Sequence, residues 1–196
     1  MNKTRALLLL SAVSMAAAQE GLYDPAPPAN SAFVRVVGAP SATLGTKTVT
    51  AEKGGASTYV VVPQGTFTVK VGPLTRRLVV AAGKFYTLVP QGPRLLLLDD
   101  QPFDNRAKAL LTVYNLSKTP LVDLKTADGK TAVITGVKPG ASGSRAVNGI
   151  TVDLAAFAGD KALASLRDVR LERGKAYALV LMDDGLTVTT SSTSSR

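Results

Sequence analysis

The sequence predicts an all-β protein built from two tandem β-sandwich domains, which arose by internal duplication and are joined by a short linker. The first observation is a segment that occurs twice: residues 78–89, LVVAAGKFYTLV, return as residues 169–180, VRLERGKAYALV. Both copies place a Gly-Lys pair between two runs of alternating apolar residues. Alternation with a period of two is typical of a β-strand, and glycine adopts the positive φ that a tight turn requires. Each copy therefore predicts two antiparallel strands joined by a tight turn.

The second observation is that the repeat extends towards the N-terminus. Residues 32–37, AFVRVV, correspond to residues 109–114, ALLTVY, and residues 67–71 correspond to residues 150–154. The spacing between the matches differs, but loops between strands absorb insertions at low cost. The third observation is the absence of any sustained helical period between closely spaced turn motifs. Many short strands of this kind favour a sandwich or a partial barrel in each half.

The chain begins with a predicted signal peptide, residues 1–18. Lys3 and Arg5 precede an apolar run over residues 6–13, and Ala16-Ala17-Ala18 provides a cleavage site after Ala18. The apolar run is too short to cross a bilayer, although an uncleaved anchor is the alternative. No cysteine follows the site, which excludes a lipoprotein. The mature protein is therefore expected to be exported.

The mature chain divides into five segments. Residues 19–29 are rich in proline and predict an extended segment, and residues 30–98 form the first domain. Residues 99–106, DDQPFDNR, predict the linker, residues 107–190 the second domain, and residues 191–196 a disordered tail. The strands expected in the first domain are 33–37, 46–50, 58–62, 67–71, 78–80, 84–89 and 95–98. Those expected in the second domain are 109–114, 122–125, 131–135, 145–147, 150–154, 168–171, 176–182 and 186–188.

Turn-forming residues separate these strands. Gly72-Pro73, Asp128-Gly129 and Asp184-Gly185 each predict a turn between neighbouring strands. Residues 154–166 are rich in alanine and predict a helical turn. Tyr86 and Tyr177 occupy equivalent positions of the repeat, which favours a structural role with a buried ring and a bonded hydroxyl group.

The positive charge lies mainly in the first domain. Between residues 30 and 98 there are eight Lys and Arg against one Glu, and between residues 107 and 190 there are eleven against eight acidic residues. The densest basic spot is Arg76-Arg77, which is either a solvated strand edge or a contact for an anion or a partner. Leu22 and Tyr23 are apolar residues in the proline-rich segment. They either fold back onto the first domain or form a short docking motif.

The composition disfavours catalysis and several kinds of binding. The chain has no His, Cys or Trp, so the usual base for a Ser or Cys nucleophile and any Cys/His zinc site are missing. The aspartates lie in turn-like stretches, and no phosphate loop, dinucleotide fingerprint or calcium loop is present. Aromatic residues interleaved with basic residues, which would indicate nucleic-acid binding, are also missing. We therefore predict no catalytic residue, no cofactor, no metal and no nucleic-acid partner.

An ordered series of segments resembles the AlgF family, the accessory proteins of alginate O-acetylation in Gram-negative bacteria. The matching segments are Gly21-Leu22-Tyr23, Ser31–Val36, Tyr86–Val89, Pro102-Phe103, Lys108–Leu110, Val113–Ser117 and Leu124–Thr131. The resemblance covers almost all of the mature chain and weakens at the Ser/Thr tail.

The resemblance implies a periplasmic protein of two β-sandwich domains without catalytic residues of its own. Its implied partners are periplasmic alginate acetyltransferases and a membrane-bound O-acyltransferase. The function expected from the resemblance is that of a noncatalytic adaptor acting through protein–protein contacts. The alternative left open by the charge distribution is a module that binds a polyanionic polysaccharide, alginate or polymannuronate, on the basic face of the first domain.

Overall fold

A computed structural model describes residues 26–51 and 55–191. The predicted signal peptide, the candidate residues Leu22 and Tyr23, and residues 192–196 lie outside these ranges. Every regular element in the described ranges is a β-strand. None of the described residues forms a helix long and apolar enough to span a membrane.

The first eight strands form the first sandwich. They are β1 (Ser31–Val36), β2 (Ser41–Leu44), β3 (Lys47–Thr50), β4 (Val60–Pro63), β5 (Gly65–Val71), β6 (Leu74–Val80), β7 (Phe85–Gln91) and β8 (Arg94–Asp100). One sheet has the order β4-β1-β7-β8, and the other has the order β3-β2-β5-β6. We call these the first inner sheet and the first outer sheet.

The next eight strands repeat this arrangement as the second sandwich. They are β9 (Ala109–Asn115), β10 (Val122–Thr126), β11 (Ala132–Val137), β12 (Ser142–Val147), β13 (Thr151–Ala158), β14 (Lys161–Arg170), β15 (Ala176–Met182) and β16 (Gly185–Ser191). The second inner sheet has the order β12-β9-β15-β16, and the second outer sheet has the order β11-β10-β13-β14. In both inner sheets the opening strand pairs in parallel with its repeat-equivalent partner, β1 with β7 and β9 with β15. The predicted fold of two tandem sandwiches is confirmed.

The four sheets are stacked in the order outer, inner, inner, outer. One apolar core lies between the two sheets of the first sandwich and a second between the two sheets of the second. A third apolar cluster joins the two inner sheets and includes Val37, Val89, Tyr114, Ala178 and Val180. The inner sheets are therefore covered on both faces, which explains why every residue of β1 and β9 is buried.

The Gly-Lys breaks do not form the hairpins that the sequence predicted. Gly83 and Gly174 have the expected positive φ values of 72° and 76°. However, β6 lies in the first outer sheet and β7 in the first inner sheet, and β14 and β15 are likewise in different sheets. Each break is a crossover from the outer to the inner sheet. Alternation on both sides of a glycine cannot distinguish the two arrangements, because both need strands that bury one face.

The Ala-rich segment 154–166 is also not helical. It contains the end of β13 and most of β14, which pair in an antiparallel manner across a turn at Gly159 and Asp160. Small alanine side chains suit the strand face that packs in the core, where Ala156 is fully buried. The predicted hairpins at residues 72–73, 128–129 and 184–185 are present, between β5 and β6, β10 and β11, and β15 and β16.

The equivalent tyrosines have the predicted structural role. Tyr86 and Tyr177 are 8% and 5% exposed. The hydroxyl group of Tyr86 accepts a hydrogen bond from the backbone N–H of Ala81 at 3.2 Å, and that of Tyr177 accepts one from Glu172 at 2.8 Å. Each ring thereby holds the crossover that precedes its own strand against the core.

Candidate functional site

The contact between the two inner sheets contains the most unusual chemistry of the described residues. Its apolar part includes Leu96, Leu98, Leu116 and Met182 around the central cluster. Beside this cluster lies Arg35 of β1, which is only 2% exposed. A buried guanidinium group is costly unless its donors and its charge are satisfied, so its surroundings decide what it does.

Every part of the Arg35 guanidinium group has a partner. Its Nε donates to Thr87 Oγ1 at 2.9 Å, and its Nη2 donates to Tyr114 Oη at 2.6 Å. Its Nη1 donates to the hydroxyl group of Ser191. The plane also lies over the ring of Tyr59, with Cζ 4.4 Å from the ring centroid, a favourable cation–π position. Two of the three hydrogen-bond acceptors belong to the second sandwich.

Asp100 supplies the compensating negative charge. Its side chain is 6% exposed and lies 3.9 Å from Arg35 Nε. It accepts hydrogen bonds from the hydroxyl groups of Tyr59 and Tyr114, each at 2.6 Å, and from Thr87. The hydroxyl groups of Thr87 and Tyr114 thus accept from the arginine and donate to the aspartate. We call these five residues with Ser191 the buried interface network.

The electrostatics keep Arg35 charged and the two tyrosines of the network neutral near neutral pH. Burial alone would lower the pKa of Arg35, but the attraction of Tyr114, Tyr59 and Asp100 outweighs this effect and raises it. Burial also raises the pKa values of Tyr59 and Tyr114 above the ordinary tyrosine value, against the opposing attraction of Arg35. Both tyrosines therefore stay neutral and act as hydrogen-bond donors to Asp100.

This arrangement suits a structural junction rather than a reaction centre. The acceptor oxygens of Asp100 are occupied, and the Arg35 side chain is almost fully buried. Within the described ranges, no three carboxylates come together in a way that could hold a metal ion. The network joins the two sandwiches by directional bonds across an otherwise apolar contact.

The buried interface network occurs where the two repeats differ. Arg35 corresponds to Thr112 in the second sandwich, from the alignment of residues 32–37 with 109–114. Asp100 corresponds to Ser191, because the two residues have the same register in the hairpins β7–β8 and β15–β16. The first sandwich thus supplies both charged groups and the second supplies neutral hydroxyl groups.

The basic pair Arg76-Arg77, predicted as a solvated strand edge or as a contact for an anion or a partner, points to opposite faces of its strand. Arg76 and Arg77 both lie on β6, the edge strand of the first outer sheet. Arg76 donates to the backbone carbonyl of Leu95 on β8 and so ties the edges of the two sheets together. Arg77 lies opposite Thr68 on the exposed face. The two side chains therefore do not form one patch, and the buried Arg35 adds nothing to the surface charge.

Sequence reasoning missed both charged residues of the network. The predicted linker begins at Asp99, whereas β8 continues through Asp100. Arg35 was counted as a surface charge. The signal that could have identified it is its position on the same strand face as Phe33 and Val37, in a run that is otherwise apolar on both faces.

Comparisons with known proteins extend across both sandwiches. The family model described as Alginate O-acetyl transferase AlgF matches residues 5–178. The alginate biosynthesis protein AlgF of Pseudomonas putida KT2440 is 37% identical over 187 residues, which cover 91% of this chain and 86% of the relative. The protein of the same name from Pseudomonas aeruginosa PAO1 is 38% identical over 187 residues, covering 92% and 86%. The solved C-terminal domain of AlgF from P. aeruginosa is 40% identical and covers 43% of this chain and 96% of that domain, with a TM-score of 0.37.

Proposed function

This chain belongs to the AlgF family of alginate biosynthesis proteins, and from this membership we propose that it is a noncatalytic adaptor for alginate O-acetylation in the periplasm. In this role it holds periplasmic alginate acetyltransferases and a membrane-bound O-acyltransferase together through protein–protein contacts. The family model is described as an alginate O-acetyl transferase. We propose that the chain supports that reaction without carrying it out.

The noncatalytic part of the proposal depends on one observation, which is that both oxygens of Asp100 are engaged in the buried interface network. Acyl transfer by a serine or threonine needs a general base, and the sequence has no histidine. A buried carboxylate is the next candidate, but Asp100 accepts hydrogen bonds from three hydroxyl groups and faces Arg35. A carboxylate whose two oxygens are both occupied in this way is not free to take a proton from a substrate.

The layer order supports the adaptor part of the proposal. The inner sheets cover each other, so partners can reach only the outer sheets, the sheet edges and the loops. A stable complex needs roughly 1,200–2,000 Å² of buried surface in total. Two outer sheets facing away from each other provide separate surfaces of the kind that an adaptor needs for two partners.

A reconstitution with purified components tests the proposal. The mature protein, beginning at Gln19, is expected to retain the periplasmic acetyltransferases in a pull-down at low salt. It is also expected to release no acetyl group from a model ester donor. Failure to retain any acetyltransferase at low salt would contradict the adaptor role, and acetyl transfer by the isolated protein would contradict the noncatalytic assignment.

Titration with polymannuronate separates the adaptor role from polymer binding. Polymer binding by the first sandwich would shift resonances of its exposed basic residues, and the shifts would disappear as salt shortens the screening length from about 10 Å at 0.1 M to about 3 Å at 1 M. The adaptor role predicts no such salt-dependent shift. If the polymer does bind, Arg77→Glu should reduce these shifts, because Arg77 lies on the exposed face of the first outer sheet and the substitution reverses its charge.

A further inference from the structure

The second sandwich is open between its two edge strands β11 and β12. A pocket of about 330 Å³ lies at this opening. Its floor consists of apolar side chains that belong to the core of the sandwich or pack against it. These side chains are Leu111, Val147, Val152, Leu154 and Leu171. The pocket therefore leads from the surface directly to the hydrophobic core.

Two features mark the rim of the pocket. Arg145 of β12 donates to the backbone carbonyl groups of Ala132 and Val133 on β11 at 3.2 Å and 3.0 Å. This long side chain spans the two edges where a backbone ladder would otherwise close them. Ile150, in the turn before β13, lines the pocket and is 51% exposed. An isoleucine left half in solvent beside an apolar floor is a surface that a partner can cover.

The rim is also positively charged, and its cations form no ion pair with any described residue. Lys108 donates to the side-chain carbonyl oxygen of Asn148 at 2.6 Å. In the described part of the chain, neither Lys108 nor Arg145 has a carboxylate within 4 Å. The nearby Arg173, whose side chain packs against Gly149, has none either. The pocket thus combines an apolar floor with a cationic rim.

Resting on the adaptor role proposed above, we propose that this pocket binds an acidic segment of a partner acetyl-transfer protein through one large apolar side chain. The apolar side chain fills the pocket and covers Ile150, and the carboxylates beside it meet Lys108 and Arg145. An anchor in a desolvated pocket contributes most of the binding energy of a typical interface, and complementary charges speed its approach. A uronate chain fits the floor poorly, because its hydroxyl groups would be buried against leucine and valine without hydrogen-bond partners.

Binding measurements with matched variants test the pocket. The probes are the purified periplasmic acetyltransferases, titrated against the full mature protein. We expect Ile150→Asp and Lys108→Glu each to weaken binding by about tenfold or more, since each alters the proposed anchor site. The controls are Val79→Asp and Lys70→Glu on the first outer sheet, where Val79 is 70% exposed. Both controls are expected to leave the dissociation constant within about twofold of the unmodified protein.

The outcomes distinguish this proposal from the adaptor role. If the unmodified protein binds and the two rim variants bind equally well, the pocket is not the docking site, whereas the adaptor role stands. If the controls weaken binding and the rim variants do not, the partner docks on the first outer sheet. If no acetyltransferase binds at all, the adaptor role fails and the pocket assignment fails with it.

A second measurement applies if a rim variant melts at a lower temperature than the unmodified protein. Methyl resonances of the native protein are then followed during titration with the same acetyltransferases. Shifts concentrated at Leu111, Val147, Val152 and Leu171 support the pocket, because these side chains form its floor. Shifts confined to other methyl groups overturn it.

Discussion

Replacing Arg35 by methionine removes the only cation of the buried interface network and leaves the rest in place. The variant keeps an unbranched side chain in the contact between the inner sheets, but Asp100 loses its compensating charge while its side chain remains 6% exposed. Removing one partner of a buried ion pair costs about 3–5 kcal/mol, because the other charge is left without compensation. We expect a loss of unfolding free energy in this range. For a chain of this length the melting temperature should fall by about 6–20 °C.

Urea denaturation of the mature protein measures this loss of unfolding free energy. Two further variants show whether it comes from the uncompensated charge. Arg77→Met removes an exposed arginine from the same sandwich and should change the unfolding free energy by less than about 0.5 kcal/mol. Arg35→Met combined with Asp100→Leu removes both charges and should recover part of the loss, because an apolar replacement of a whole buried pair is often neutral. The double variant thus separates the uncompensated charge from lost packing.

A loss below about 1 kcal/mol for Arg35→Met would refute the reasoning, since that is the range of an exposed ion pair. So would a double variant that is less stable than the sum of its single changes, because the pair would then contribute nothing through its charges.

Two other predictions follow from the same contact. Burial raises the pKa of Tyr114 above its ordinary value of 10.0, so the unfolded chain loses this proton first and stability should fall as the pH rises above about 10. Tyr114→Phe should reduce the loss of unfolding free energy between pH 9 and pH 11 by about 1.4 kcal/mol in urea titrations, and an unchanged loss would contradict the assignment. Gly140→Ala should destabilise the protein by about 2 kcal/mol, because Gly140 has a φ of 72° and an added Cβ would overlap Gln91 and lie 2.8 Å from Leu96 Cδ1. Gly45→Ala is its control, with a φ of 62° and no atom within 4 Å. Equal losses in thermal or urea unfolding for the two alanine variants would show that the Gln91 and Leu96 side chains move aside at no cost and would contradict the prediction.

The strands could be predicted because each sandwich buries one face of its outer sheet. The outer strands alternate between exposed and buried residues, as β2 does, and this pattern is visible in the sequence. Which strands pair with each other could not be predicted, because the glycines at the crossovers and those in the hairpins share a positive φ. The breaks at Gly83 and Gly174 were therefore assigned to the wrong connection.

The contact between the sandwiches was hidden for a different reason. A strand that is buried on both faces, such as β1, does not alternate between apolar and polar residues. Its sequence therefore does not show that the second face makes a contact of its own. A single charged residue on such a face resembles a surface residue until its partner is known. The partner of Arg35 is Asp100, 65 positions away by their residue numbers. No local pattern connects two residues that are so far apart in the sequence.

The order of the four layers fixes the distance between the two outer sheets. Sheets packed face to face are about 10 Å apart, so three successive gaps place the two outer sheets about 30 Å from each other. This distance is maintained by interdigitated side chains and not by the short connection between β8 and β9. Side-chain packing therefore fixes the spacing of the two outer sheets, and proteins bound to them would keep that spacing even if the connection were lengthened.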